Sequence, residues 1–168
     1  MTASSPQIAV IGSGECGAES EAWALAEEVG RLLAEAGATV VCGGRGGVME
    51  AVARGAAGAG GTVIGVLPWV STADANPHCT HVVATGIGQA RNLAVVASGD
   101  ATIAISGGWG TLSEIGHARN LGRPVVALRS WSVDGRGEME GGPGVSAAAS
   151  AEEAVRAALA RASAEPAP

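Results

Sequence analysis

Three short glycine-rich segments have the residue types needed to hold an anion: Gly12-Ser13-Gly14, Gly43-Gly44-Arg45-Gly46-Gly47 and Gly107-Gly108-Trp109-Gly110-Thr111. Glycine lets backbone N–H groups approach a ligand closely, and a helix N-terminus adds partial positive charge. Each segment follows an apolar run that reads as a strand, so all three fall at one edge of a sheet. A single turn of this kind says little, because strand-to-helix connections use glycine for geometry alone. Three at one edge point to a phosphate. Gly12, Ser13, Gly14, Gly43, Gly44, Arg45, Gly46, Gly107, Gly108, Trp109, Gly110 and Thr111 are therefore the expected phosphate-binding residues.

The third segment is the most informative. Thr111 can donate its hydroxyl to a phosphate. It also begins Thr111-Leu112-Ser113-Glu114, which fits a capping box in which Glu114 reaches back to the Thr111 N–H. Spacing alone favours the cap. A carboxylate one turn into this helix would also face the ligand edge, where it could work on a substrate. The two roles compete for one side chain.

The positioning elements follow from the apolar pattern. Strands are expected at 7–12, 38–42, 62–67, 82–84, 100–105 and 125–128. Helices are expected at about 20–36, 48–59, 89–98, 111–121 and from Ser150 to about 162, the last opened by a capping box from Ser150 to Glu153. Residues 71–80 and 130–145 read as loops. Alternating strand and helix implies βαβ units, hence a Rossmann-like, doubly wound, mostly parallel sheet with helices on both faces. In such sheets ligands bind beyond the carboxyl ends of the strands, where the strand order reverses. The expectation is a single α/β domain over 1–168, with 1–6 and 163–168 frayed.

Composition narrows the function. The chain has no Phe, Tyr or Lys, and 47% of its 168 residues are apolar, so the core must be Val, Ile, Leu and Ala with a few Trp. Scattered Arg residues and a net charge of −6 give no basic stripe for nucleic acid. No apolar run is long enough to span a membrane and no signal peptide is recognisable, so the expected location is the cytoplasm. Cys16, Cys42 and Cys79 lack CxxC spacing, and the grouping of His78, Cys79 and His81 has no second cluster to complete a metal site, so none is assigned. Gly12 to Gly17 matches G-x-G-x-x-G, but Cys42 and Gly43 stand where an acidic residue would hold the ribose of NAD. His117, one turn beyond Glu114, reads as structural, and Trp69 and Trp131 read as rim residues.

The run Ser106-Gly107-Gly108-Trp109-Gly110-Thr111-Leu112-Ser113-Glu114 resembles the Pro-Gly-Gly-x-Gly-Thr-x-x-Glu signature of the Lonely Guy (lysine-decarboxylase-like, SLOG) superfamily. The resemblance extends to the Gly43–Gly47 turn with Val48-Met49 and to Arg91, and it covers most of the chain. It is nearest to the short bacterial branch that includes molybdenum-cofactor carrier proteins, where Trp-Gly-Thr-Leu-Ser-Glu-Ile is typical. Ser106 replaces the signature Pro, and Asn92 replaces the Lys that follows the Arg in plant-type enzymes.

The resemblance implies two functions. As a nucleoside 5′-monophosphate phosphoribohydrolase, the chain would use Arg91 and Glu114 as its catalytic pair and need no cofactor. Glu114 would stabilise positive charge on the ribose, and Arg91 would anchor the substrate. As a binding protein, it would carry the molybdenum cofactor, a phosphorylated pterin, or sense a nucleotide on the same loops. Either way the partner is a small phosphorylated ligand, and the family resemblance implies a homodimer or homotetramer.

Overall fold

The computed structural model of the chain describes residues 5–133 and 144–163. Its elements are β1 (Gln7–Gly12), α1 (Glu21–Glu35), β2 (Thr39–Cys42), α2 (Val48–Gly58), β3 (Val63–Leu67), β4 (His81–Ala84), α3 (Arg91–Ser98), β5 (Ala101–Ile105), α4 (Trp109–Asn120), β6 (Val125–Leu128), β7 (Ser146–Ala148) and α5 (Ala151–Ala162). A single 3₁₀ turn, Gly88–Ala90, leads into α3. The strands form one sheet in the order β4-β3-β2-β1-β5-β6-β7, and every neighbouring pair is parallel. This is the Rossmann-like, doubly wound α/β fold that the strand–helix alternation implies.

Alternation along the strands explains the layers. Ile8 and Val10 of β1 face one side and join Val40, Ile103, Ile105 and Leu128 against α1, α2 and α5. Ala9 and Ile11 face the other and pack with Val41 and Ala104 against α3 and α4 through Val95, Val96, Ile115 and Ala118. Both faces of the sheet are covered, so the central strands read as unbroken apolar runs. Small residues bring α1 and α2 unusually close. A Cβ on Gly30 would strike the Val52 carbonyl, and one on Gly55 would strike the Glu27 carbonyl.

The chain builds outward from β1 through β2, β3 and β4, then crosses back to β5 on the other side of β1. The strand order therefore reverses between β1 and β5, which opens a crevice at their carboxyl ends. Two of the three glycine-rich turns flank that crevice, and the third follows β2 next door.

Three details differ from the sequence reading. The strand β7 goes unseen because Ser-Ala-Ala has neither β-branched residues nor alternation, and it gains its place by pairing with β6. Helix α4 begins at Trp109 with Gly108 as its N-cap, so Thr111 lies inside the first turn. At α5 the capping box is present in altered form: Ser150 Oγ accepts from Glu153 N at 3.2 Å, while the Glu153 carboxylate accepts from Ala149 N at 2.9 Å. The expected loop at 130–145 and the expected frayed ends lie largely outside the described residues. Among the described residues no helix is long and apolar enough to cross a membrane.

Candidate functional site

The turn after β1 and the turn after β2 interlock. Gly47 has φ +65°, and any Cβ there would strike the Ser13 carbonyl and Gly14, so only glycine fits both the conformation and the space. Val48 N, at the start of α2, donates to Ser13 O at 2.9 Å. Asn76 clasps the second turn from outside: its N–H donates to Gly44 O at 2.9 Å and its Nδ2 to Arg45 O at 3.0 Å. Arg45 is steadied further by Trp69, whose ring centroid lies 5.0 Å from the guanidinium carbon.

The third turn leaves β5 through Ser106 (φ 52°), a left-handed conformation that a non-glycine residue adopts at a cost of about 1 kcal/mol or more. Ser130 Oγ donates to Ser106 O at 2.6 Å and Trp131 Nε1 donates to Gly108 O at 3.1 Å, which hold the turn open. Helix α4 then starts at the crevice, which Gly110 and Thr111 of its first turn line, and its first N–H groups have no partner inside the helix. Trp131 also stacks on Trp109, with centroids 5.2 Å apart and planes tilted 35°.

The three turns surround one cavity of about 470 Å³. Of the residues expected from sequence, Gly12, Ser13, Gly14, Gly43, Arg45, Gly46, Gly108, Gly110, Thr111, Arg91 and Glu114 line it. Gly44, Gly107 and Trp109 do not. Gly44 lies behind the second turn against Gly65 and Leu67, Gly107 is pressed against Thr111, and Trp109 is 78% exposed. His117 is exposed and Cys16 packs beside the core, so neither borders the cavity. Glu15, Met49, Gln89 and Asn92 also line it. The sequence reading missed them, although Gln89 and Asn92 flank Arg91 and could have been found as its neighbours.

The cap reading of Glu114 does not hold. Thr111 is the third residue of α4, and no hydrogen bond joins its N–H to the Glu114 carboxylate. Glu114 is only 8% exposed and faces the cavity. Burial pushes its pKa up to about 7, against the opposing pull of Arg91. Arg91 comes from the first turn of α3, the helix packed beside α4. It is 5% exposed, and its guanidinium lies over Gly43, where a Cβ would displace it. Its Nε has no hydrogen-bond partner. Burial pulls the Arg91 pKa down, Glu114 opposes that, and Arg45 reinforces it.

A buried guanidinium nitrogen without an acceptor is costly, because desolvation is not repaid by hydrogen bonding. Together with Arg45 and the N-terminus of α4, it makes a cradle suited to an anion. Glu114 places one titratable carboxyl in the same space. Among the described residues no group of three or more His, Cys, Asp or Glu side chains could hold a metal ion.

Comparison with known proteins agrees with this architecture. Residues 5–156 match the SLOG cluster4 family. An uncharacterized protein of Archaeoglobus fulgidus is 45% identical over 123 residues, 73% of this chain and 80% of that one. The molybdenum cofactor binding protein of Rippkaea orientalis superposes with a TM-score of 0.81 at 30% identity, covering 94% of this chain and 97% of its own. The molybdenum cofactor carrier protein of Chlamydomonas reinhardtii gives 0.77 at 30% identity, covering 94% and 99%. With the match spanning both walls of the cavity, from β1 through Arg91 and Glu114 to α5, the chain belongs to the SLOG cluster4 family.

Proposed function

We propose that this chain is a binding protein for a small phosphorylated ligand, and that the ligand is a pterin of the molybdenum-cofactor class. One observation carries the reading: the buried Arg91, whose Nε has no hydrogen-bond partner, on the wall of a cavity ringed by three glycine turns. In this reading the phosphate sits on the first N–H groups of α4 with the Thr111 hydroxyl beside it. Arg45 and Arg91 balance the remaining negative charge, and Gln89 and Asn92 supply polar groups to the heterocycle. The residues present fit such a group: the volume is in the range of small-ligand sites, and Ser13, Arg45, Gln89, Asn92 and Thr111 line it with donors beside Arg91. The likeness to two proteins named for binding or carrying that cofactor, each covered nearly end to end, supports it.

The test is retention. The chain is produced in a host that makes the pterin cofactor, purified, and oxidised so that any pterin fluoresces. Near-stoichiometric pterin in the wild type and its loss in Arg91→Ala are expected. Protein that carries no pterin and takes none up from a cofactor-loaded donor would remove this reading.

A second reading, a nucleoside 5′-monophosphate phosphoribohydrolase, is favoured by Arg91 and Glu114 facing one cavity. Breaking the ribose C1′–N bond places positive charge on the sugar, which an ionised Glu114 would stabilise while water adds at C1′. Incubation with AMP and chromatographic detection of free adenine tests it, with Glu114→Ala as the control. The same family resemblance supports a homodimer or homotetramer working in the cytoplasm, and sedimentation velocity reads the assembly state directly.

A further inference from the structure

The end of β2 holds a second pair of reactive groups, which the anion site does not use. Cys42, the last residue of β2, is in register with Gly65 of β3. Residues paired in this way project from the same face of the sheet, on strands about 4.8 Å apart. Gly65 has no side chain, and Cys79 takes the vacant space: its Sγ lies 2.6 Å from where a Gly65 Cβ would stand, and its Cβ 3.4 Å. Cys79 arrives there from segment 68–80, which folds back over the sheet between β3 and β4. The two thiols stand near enough to shift each other's ionisation. Cys79 thus fills the side-chain position next to Cys42 on the neighbouring strand, and a disulfide there needs Cβ atoms about 3.5–4.5 Å apart.

The partners are unequal. Cys42 is fully buried and its thiol also donates to Met49 O at 3.7 Å, whereas Cys79 is half-buried. The neighbouring Cys42 and Asn76 side chains hold the Cys79 thiol below its ordinary range, while Cys79 and burial push Cys42 well above its own. An outer thiol that ionises readily beside an inner one that does not is the arrangement of an attacking and a resolving cysteine.

We propose that Cys42 and Cys79 form a dithiol–disulfide couple, oxidised by a small-molecule disulfide of the glutathione type, that ties segment 68–80 to the floor of the anion-binding cavity. The Cys79 thiolate attacks one sulfur of oxidised glutathione, forming a mixed disulfide and expelling one glutathione thiolate. That thiolate takes the proton from Cys42. The Cys42 sulfur then attacks the Cys79 sulfur, forming the protein disulfide and expelling the second glutathione. Two protein thiols are oxidised and one small disulfide is reduced to two thiols. Cys42 precedes Gly43, which lines the cavity under Arg91, and Asn76, three residues before Cys79, clasps the Gly43–Gly47 turn. Oxidation would therefore lock the clasp onto that turn.

The experiment uses the full native chain. It is reduced, equilibrated across a series of reduced and oxidised glutathione mixtures, quenched with iodoacetamide and cut with trypsin. The three cysteines fall in separate arginine-bounded peptides, 1–31, 32–45 and 55–91. Peptide 32–45 is expected to be joined to 55–91, with a whole-chain mass lower by two hydrogens, Cys16 alkylated, and full reversal by dithiothreitol. Cys42→Ala should accumulate a glutathione adduct at Cys79, and Cys79→Ser should leave Cys42 unmodified. Should Cys42→Ala fail to fold, the wild type and Cys79→Ser still decide the matter. Three alkylated thiols throughout the series would overturn the proposal. A link through Cys16 would overturn it as well, as would a wild-type glutathione adduct that persists at Cys79.

Discussion

Arg91 and Glu114 face the same cavity from two helices packed side by side, both buried, yet no ion pair joins them among the described residues. The ion pairs of Arg31 with Glu28 and Glu35, of Arg54 with Glu27 and of Arg129 with Glu21 join exposed side chains at the surface. A site that holds a buried cation and a buried acid apart is set up for something to come between them.

If an anionic ligand completes Arg91, replacing this residue should weaken binding without unfolding the chain. A charge-assisted hydrogen bond is worth about 1.5–3 kcal/mol, so Arg91→Met should lose roughly 10- to 100-fold in affinity for AMP or a pterin phosphate. Its thermal midpoint without ligand should stay within a few degrees of the wild type, because no internal hydrogen bond is removed. Calorimetric titration and a thermal melt read the two quantities.

Glu114 gives the binding a pH dependence. With its pKa raised to about 7, its carboxyl is neutral at pH 6 and ionised at pH 8, where it repels an anion. Affinity for a phosphorylated ligand should fall as pH rises through 7, and Glu114→Gln should flatten the profile. Catalysis by the carboxylate would show the opposite limb, with adenine release from AMP rising through the same range.

The same shift has a stability consequence. The folded pKa of Glu114 lies above the ordinary value of 4.5, so its contribution is fully present below pH 4.5 and is lost as pH rises towards and through 7. Glu114→Gln should therefore leave stability nearly unchanged at pH 4 and raise it at pH 8 by on the order of 2–3 kcal/mol. Urea denaturation at the two pH values checks this.

Ser106 tests the third turn. Its φ of 52° is closed to proline, which is locked near −65°, so the Pro of the family signature cannot be restored here without rebuilding the turn. Ser106→Pro should cost about 3 kcal/mol or more, or prevent folding, and should also remove the bond from Ser106 N to Leu128 O. Ser106→Gly should be neutral or stabilising. Denaturation midpoints of the two variants separate these outcomes.

The α1–α2 contact allows no added volume at its glycines. A Cβ at Gly55 meets the Glu27 backbone, which cannot move aside as a flexible side chain would. Gly55→Ala should destabilise by about 1–3 kcal/mol despite the better helix propensity of alanine, and Gly58→Ala, which meets nothing, should stabilise slightly.

The sheet was legible because Ile8–Ile11 and Thr102–Ile105 are too apolar for anything but strands covered on both faces, and because glycine turns follow them at once. The placement of the anion loops came from the same rule. What stayed hidden depends on tertiary geometry. Nothing local tells that α4 starts at Trp109 rather than Thr111, because Ser106 must first enter a left-handed conformation. Spacing alone therefore favours a cap for Glu114, which lines the cavity. Arg91 is marked only by its resemblance to the family motif, since no spacing pattern shows that α3 turns its first residue inward over Gly43. The approach of Cys79 to Cys42 depends on segment 68–80 folding back, which composition does not encode.

The central claim is that the cavity binds a phosphate on the third glycine turn. A crystal structure of the chain grown with AMP tests it most directly. The account predicts the phosphate on the N–H groups of Gly108 to Thr111, with the Arg91 guanidinium turned to the ligand and Glu114 beside the sugar. A phosphate seated elsewhere on the protein, or no AMP bound at saturating concentration, would contradict it.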